Sequence, residues 1–96
     1  SKVWVCAIAD PADPARLRFV GDCDTAIIKG VLALLNELMS GRTPREVSAL
    51  DLDHLFDELK LADHLSPNRH FGVYSIVELM KVQAAALAPA ADAAAT

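Results

Sequence analysis

The chain is poor in cysteine and glycine, and its basic residues are gathered nowhere. Two cysteines in 96 residues are too few for a disulfide scaffold, so a reducing compartment, the cytoplasm, is the expected location. Nine basic residues stand against 13 acidic ones, a net charge of −4, and they are scattered. Nucleic-acid binding needs phosphate-neutralising charge on one face, so no such partner is expected. No apolar run approaches the roughly 20 residues of a membrane span. The opening Ser-Lys-Val-Trp-Val-Cys has no small-residue cleavage site, so neither a membrane nor a signal peptide is expected. The four glycines build no phosphate loop, and neither a Gly-x-Ser-x-Gly elbow nor a paired-carboxylate constellation is present.

What is present is apolar and short. The hydrophobic fraction is 53%, but 17 of those residues are alanine, nine of them within residues 84–95. The core must therefore come from the larger side chains between Val3 and Leu87. A chain of this length makes one domain and buries roughly 60–70% of its unfolded surface. The β-branched and aromatic run Val3–Ala9 reads as a strand. Two Asp-Pro dipeptides in residues 10–15 predict a loop longer than a hairpin turn. Residues 16–20 alternate, with Arg16 and Arg18 on one face and Leu17 and Phe19 on the other, which predicts a half-buried strand paired antiparallel to the first.

Helices follow. Gly21-Asp22-Cys23-Asp24 reads as a sharp strand-to-helix junction with Asp24 as the cap, worth about 1 kcal/mol. The next helix, residues 25–39, is apolar nearly all round and is expected to be central and buried, stopping at Gly41. Thr43-Pro44-Arg45-Glu46 is a capping box with proline at the first helical position. Asp51 or Asp53 starts another short helix, and Ser66-Pro67 opens the longest one, expected over residues 67–87 and ended by Pro89. The Ala-rich tail, residues 89–96, is expected to be disordered. The class is α+β, a small antiparallel sheet flanked by helices.

Few residues invite chemistry. Cys23 lies near a helix N-terminus, which favours a thiolate, while Asp22 and Asp24 flank it with like charge that opposes one. Cys6, mid-strand among apolar neighbours, reads as a buried inert thiol. A Cys6–Cys23 disulfide would need Cα atoms about 5–6 Å apart and is disfavoured by the compartment argument. His54, His64 and His70 match no zinc spacing, so no metal is expected. Arg69, in the first turn of the long helix, stands against the helix dipole, a mild sign of function. Solvated pairing with a carboxylate such as Asp63 is the plainer account. The acidic run from Asp51 to Asp63 reads as a solvated face, with a partner surface as its alternative.

Four blocks together resemble the SufE family, which includes CsdE. They are Ser1-Lys2-Val3-Trp4-Val5; Gly21-Asp22-Cys23-Asp24 with Ala26-Ile27-Ile28-Lys29-Gly30; Thr43-Pro44-Arg45-Glu46-Val47; and Leu65-Ser66-Pro67-Asn68-Arg69 with Gly72. The resemblance implies a SufE/IscU-like fold and a sulfur acceptor that works with a cysteine desulfurase of the SufS or CsdA kind in iron–sulfur cluster assembly. Such a protein takes persulfide sulfur and stimulates desulfurase turnover, a sulfur-transfer accessory role rather than that of a stand-alone enzyme. A cluster scaffold is a further implied partner. No cofactor is implied, and the ligand cysteines of the metal-binding IscU relatives have no counterparts here.

The same resemblance puts the acceptor cysteine two residues ahead of the serine matched by Ser1, so no catalytic residue is expected within these residues. The SufE-like domain is expected over residues 1–88, incomplete at its N-terminus. Asp24 and Arg69 match positions around the acceptor loop, and with Cys23 they form the expected acceptor pocket. Cys23 stands where the family usually has serine, which reads as an exchange of similar size, with a second sulfur site as the alternative. An interaction module that docks without accepting sulfur is the other functional reading. An incomplete domain leads us to expect an exposed apolar patch on the first strand or the long helix, which a homodimer would cover.

Overall fold

The structure, a computed structural model, describes residues 2–60 and 67–95, with side chains for all of these except residues 52 and 67–71. Two strands, β1 (Val3–Ala9) and β2 (Leu17–Cys23), are followed by four helices: α1 (Ala26–Met39), α2 (Pro44–Ser48), α3 (Leu52–Leu59) and α4 (Pro67–Ala95). The expected α+β class is the observed one.

β1 and β2 form an antiparallel hairpin in which Ala9 faces Leu17 and Val3 faces Cys23. The connecting loop is held by its own aspartates. Asp10 and Asp13 accept the N–H groups of Ala12 and Ala15, two residues on, at 2.9 and 3.1 Å, the turn-forming bond short acidic side chains favour. The alternation in β2 is as read: Leu17 and Phe19 are buried and Arg18 is exposed. The strand does not end at Val20, as the sequence suggested, but continues through Gly21 to Cys23. Glycine at 21 is what permits this. It faces Val5, and a Cβ there would lie 2.4 Å from the Trp4 carbonyl oxygen and 3.2 Å from the Val5 Cα.

Both outer edges of the hairpin are satisfied locally. Along β2, the Leu17 N–H donates to the Arg42 carbonyl and the Gly41 N–H to the Leu17 carbonyl, both at 2.8 Å. The Ser40 hydroxyl accepts the Phe19 N–H at 3.0 Å. Gly41, at φ +83°, lets the chain reverse after α1 to make these bonds. Along β1, the Gln83 side chain of α4 accepts the Ala7 N–H at 2.7 Å and donates to the Val5 carbonyl at 2.9 Å. An unpaired strand edge is thereby occupied by a helix.

The core lies between the sheet and the helices. Val5, Leu17, Phe19 and Cys23 face Leu32, Leu35 and Met39 of α1 and Val73, Val77, Met80 and Ala84 of α4. The stripe expected on α4 is buried as far as Ala84, and Leu87 is half-buried. α1 is not buried all round: Ile27 is 50% and Leu34 39% exposed, because the helix packs through one face against β2. The capping box on α2 is complete, with Thr43 Oγ1 accepting the Glu46 N–H and Glu46 Oε1 accepting the Thr43 N–H, both at 3.2 Å. Asp51 caps α3, accepting the N–H groups of Asp53 and His54. α3 meets α4 where Phe56 stacks on Tyr74, with ring centroids 4.4 Å apart, and the Tyr74 hydroxyl donates to Asp53 at 2.7 Å.

α4 does not stop at Pro89, and the expected disordered tail is helical to Ala95. Proline costs the helix one backbone hydrogen bond, but alanine is the strongest helix former. The last turns are also anchored: Ala91 is buried, and Asp92 pairs with Arg45 of α2 at 3.8 Å. Cys6 corrects another expectation. It is exposed on the outer face of the sheet, whereas Cys23 is buried on the inner face, so both are free thiols on opposite faces.

The Gly21 contact predicts that Gly21→Ala lowers stability by about 1–3 kcal/mol, the range of overpacked sites, read as a shift of the urea midpoint. The Asp53 carboxylate raises the Tyr74 phenol above its ordinary value, through their hydrogen bond first and partial burial second. The protonated phenol is favoured in the fold, so its contribution is complete below about pH 10 and disappears as pH rises through the raised value. Tyr74→Phe is expected to flatten the alkaline limb of stability against pH.

Candidate functional site

The junction between β2 and α1 carries three consecutive polar-tolerant residues, Asp22, Cys23 and Asp24, and their side chains alternate with the pleat of the strand. Cys23 points inward. It is 6% exposed, belongs to the core, and its Sγ accepts the Thr25 N–H at 3.5 Å. Asp22 points outward, where its Oδ1 accepts the Cys23 N–H at 2.8 Å and meets Lys29 Nζ at 3.3 Å. The backbone N–H first, and the Lys29 ammonium after it, lower the Asp22 carboxyl below its ordinary range.

Asp24 does not cap α1. The N-cap is Thr25, whose side chain makes no capping bond. The Asp24 carboxylate is turned back towards the sheet. Its Oδ1 accepts the Lys2 N–H at 2.9 Å and the Thr25 hydroxyl at 3.3 Å. The Asp24 N–H donates to the Lys2 carbonyl at 3.2 Å. Lys2 is therefore held through both of its backbone polar groups, and the ladder is extended one residue beyond β1. The Asp24 carboxylate is aimed at the Lys2 N–H rather than at the first turn of the helix.

Lys2, Trp4, Asp22, Cys23 and Asp24 line an open depression of about 270 Å³. The structure thus brings Cys23 and Asp24 of the expected pocket together. Arg69, the third, lies in α4, and its side chain is outside the described residues. Lys2 and Trp4 were missed as pocket residues, although the hairpin pairing that puts Val3 opposite Cys23 leaves Lys2 beside Asp24. The depression has two carboxylates and the Lys2 main chain on its walls, with the Lys29 ammonium at Asp22. It is chemically suited to orienting a strand that enters at Lys2. The buried Cys23 sulfur is poorly placed for exchange with a second protein, since exchange needs access to the thiol.

Among the described residues no group of three His, Cys, Asp or Glu side chains is placed to hold an ion. His54 faces Glu58 on α3 at 3.2 Å. His64 and the side chain of His70 lie outside the described residues. Among the described residues no helix is long and apolar enough to cross a membrane.

Residues 1–84 match the family described as the Fe–S metabolism associated domain, SufE. The match covers both strands, the Asp22–Asp24 turn, α1, α2 and α3, and α4 as far as the last buried residue of its stripe.

The contacts of Asp22 give a pH dependence. A carboxyl lowered in the folded state contributes stability above its unfolded value, and that contribution is lost as pH falls through the folded one. Stability is therefore expected to fall in the acid limb below about pH 4, the ordinary aspartate range. Asp22→Asn should flatten that limb in urea titrations across pH, and Lys29→Met should flatten it partly, because the backbone bond is the larger cause.

Proposed function

The chain belongs to the SufE family of Fe–S metabolism associated domains, and on that premise we propose that it is a sulfur acceptor for a cysteine desulfurase. The observation that carries the reading is the clamp of Asp24 on both backbone groups of Lys2. It holds the start of β1 at the rim of the depression. Family resemblance puts the acceptor cysteine just ahead of Ser1, within about 10 Å of this clamp at roughly 3.3–3.6 Å per extended residue.

In the proposed reaction the desulfurase holds a persulfide on its own cysteine. The acceptor thiolate attacks the outer sulfur, forming a new S–S bond while the enzyme's S–S bond breaks. The enzyme sulfur leaves as a thiolate and the acceptor carries the persulfide with its proton, so the exchange is redox-neutral. Removing the persulfide frees the enzyme for another turnover. Asp24 acts as a positioning residue by fixing Lys2. Arg69, matched by resemblance, would supply a cation that favours the thiolate. The burial of Cys23 favours its reading as a serine-like structural residue over a second sulfur site.

The test uses the full-length protein with a cysteine desulfurase and cysteine, following alanine formation and trapping persulfides by alkylation for peptide mapping. The expected result is faster alanine formation, with label on a cysteine ahead of Ser1 and none on Cys23. Asp24→Ala should slow transfer, while Asp24→Asn, which keeps an acceptor oxygen for the Lys2 N–H, should retain most of it. Binding to the desulfurase without any label would instead establish a docking module. Neither binding nor stimulation would overturn both readings.

A further inference from the structure

The outer face of the sheet is apolar, and none of the described helices covers it. The strand pleat puts Trp4, Cys6 and Ile8 of β1 on that face, opposite Asp22, Val20 and Arg18 of β2. Trp4 is 57%, Ile8 40% and Val20 37% exposed, and Cys6 is exposed between them. Three large apolar side chains on one continuous face are more than scattered surface hydrophobics. The face begins at the rim of the depression, because Trp4 and Asp22 belong to both. Its two ends differ in charge. Asp22, next to the rim, is already paired with Lys29 at 3.3 Å. Arg18, at the far end, has no ion pair among the described residues.

We propose that this face, over its whole length from Trp4 to Arg18, is the surface on which the cysteine desulfurase docks, through an apolar patch that carries a carboxylate over Arg18. The inference rests on the sulfur-acceptor reading and adds to it where the enzyme sits. Transfer requires the enzyme's persulfide to touch an acceptor that family resemblance puts within about 10 Å of the Asp24–Lys2 clamp. Trp4 lies two residues along the strand from Lys2, about 7 Å, so an enzyme that reaches the acceptor meets Trp4 as well. A standard interface buries about 800 Å² on each partner, a patch about 30 Å across. β1 has seven residues, a length of about 23 Å at 3.3 Å each. One interface therefore has room for both the rim and the apolar face. Tryptophan is favoured as an interface anchor when apolar neighbours keep water from it, and Cys6, Ile8 and Val20 surround it in that way. Covering Arg18 takes its guanidinium out of water, which is costly unless an opposite charge meets it. The partner's carboxylate is specified for that reason. A cation at the far end also fixes which way round the enzyme sits, since complementary charge sets register.

The test uses the full-length protein and a cysteine desulfurase, with circular dichroism confirming that each variant is folded. Alanine formation is followed against acceptor concentration, and alkylation of Cys6 is followed by peptide mapping with and without the enzyme. Ile8 and Arg18 face each other about 13 Å beyond Trp4, four residues along the strand, too far to touch the sulfur. Ile8→Asp and Arg18→Glu are each expected to raise the KM for the acceptor by about tenfold or more, since each sets an unmatched charge against the partner. The maximal rate should stay within about twofold, the signature of lost binding rather than lost chemistry. Arg18→Lys should keep most of the affinity. Val82→Asp, at an apolar residue 65% exposed on α4, should change neither quantity. The enzyme should slow alkylation of Cys6. An unaltered KM in either face variant, or Cys6 alkylated as fast in the complex as alone, would overturn this inference and leave the sulfur-acceptor reading standing. An equal rise in KM with Val82→Asp would overturn it too, by making the effect one of surface charge alone. So would a Cys6 that resists alkylation in the protein alone, because other residues of the chain would then cover the face. Neither binding nor stimulation by the unaltered protein would overturn the sulfur-acceptor reading, and this inference with it.

Discussion

The side-chain amide of Gln83 does for β1 what a third strand would do. A two-stranded hairpin is marginal in water because its backbone groups on both outer edges stay unpaired and one face cannot be buried alone. Gln83 accepts the Ala7 N–H and donates to the Val5 carbonyl. The bond pair joins residues more than seventy positions apart and fixes the rotation of α4 about its own axis. With Gln83 turned to the strand edge, Met80 and Ala84 fall on the sheet side and close the core over Val5. The opposite edge is closed in the same way by Ser40, Gly41 and Arg42. The sheet is thus framed by a helix and a helix terminus, and α1 and α4 are set at its two sides.

That frame also sets the backbone path of the candidate site. β2 passes beneath Trp4 only because Gly21 lacks a side chain. The pairing then extends to Cys23 and delivers Asp24 to the Lys2 main chain. Each of the three turn residues takes a separate task from the strand pleat. Cys23 goes to the core, Asp22 takes the lysine ammonium, and Asp24 holds the start of β1. For the sulfur acceptor proposed above, a strand start clamped by a carboxylate would be a compact way to place the reactive segment against a partner. The outer sheet face lies next to this rim, since Trp4 and Asp22 belong to both.

Much of the local structure was legible in single residues. Leu17 and Phe19 alternate with arginines and point where a strand's two-residue period sends them. Thr43 and Glu46 form the box their spacing announces, because both partners lie within one turn of helix. Gly41 stops α1, and Asp51 caps α3. Where the reading failed, the competing term was tertiary. Cys6 sits among apolar neighbours and looked buried, but it occupies the face that none of the described helices covers. Pro89 is a local stop signal, yet helix propensity, Ala91 burial and the Asp92–Arg45 pair outweigh it. Asp24 has the chemistry of a cap, but the Lys2 N–H reaches its carboxylate instead.

The sequence by itself determined the class, the order of elements and the family, since periods of two and 3.6, caps and short motifs all act within a few residues. Only the tertiary structure decided which side of the hairpin is the inside, which thiol is exposed, and what the aspartates of the turn bind. Those outcomes depend on contacts between residues far apart in the chain, such as Lys2 with Asp24 and Val5 with Gln83. Local propensity has no information about a partner that arrives only when the core closes.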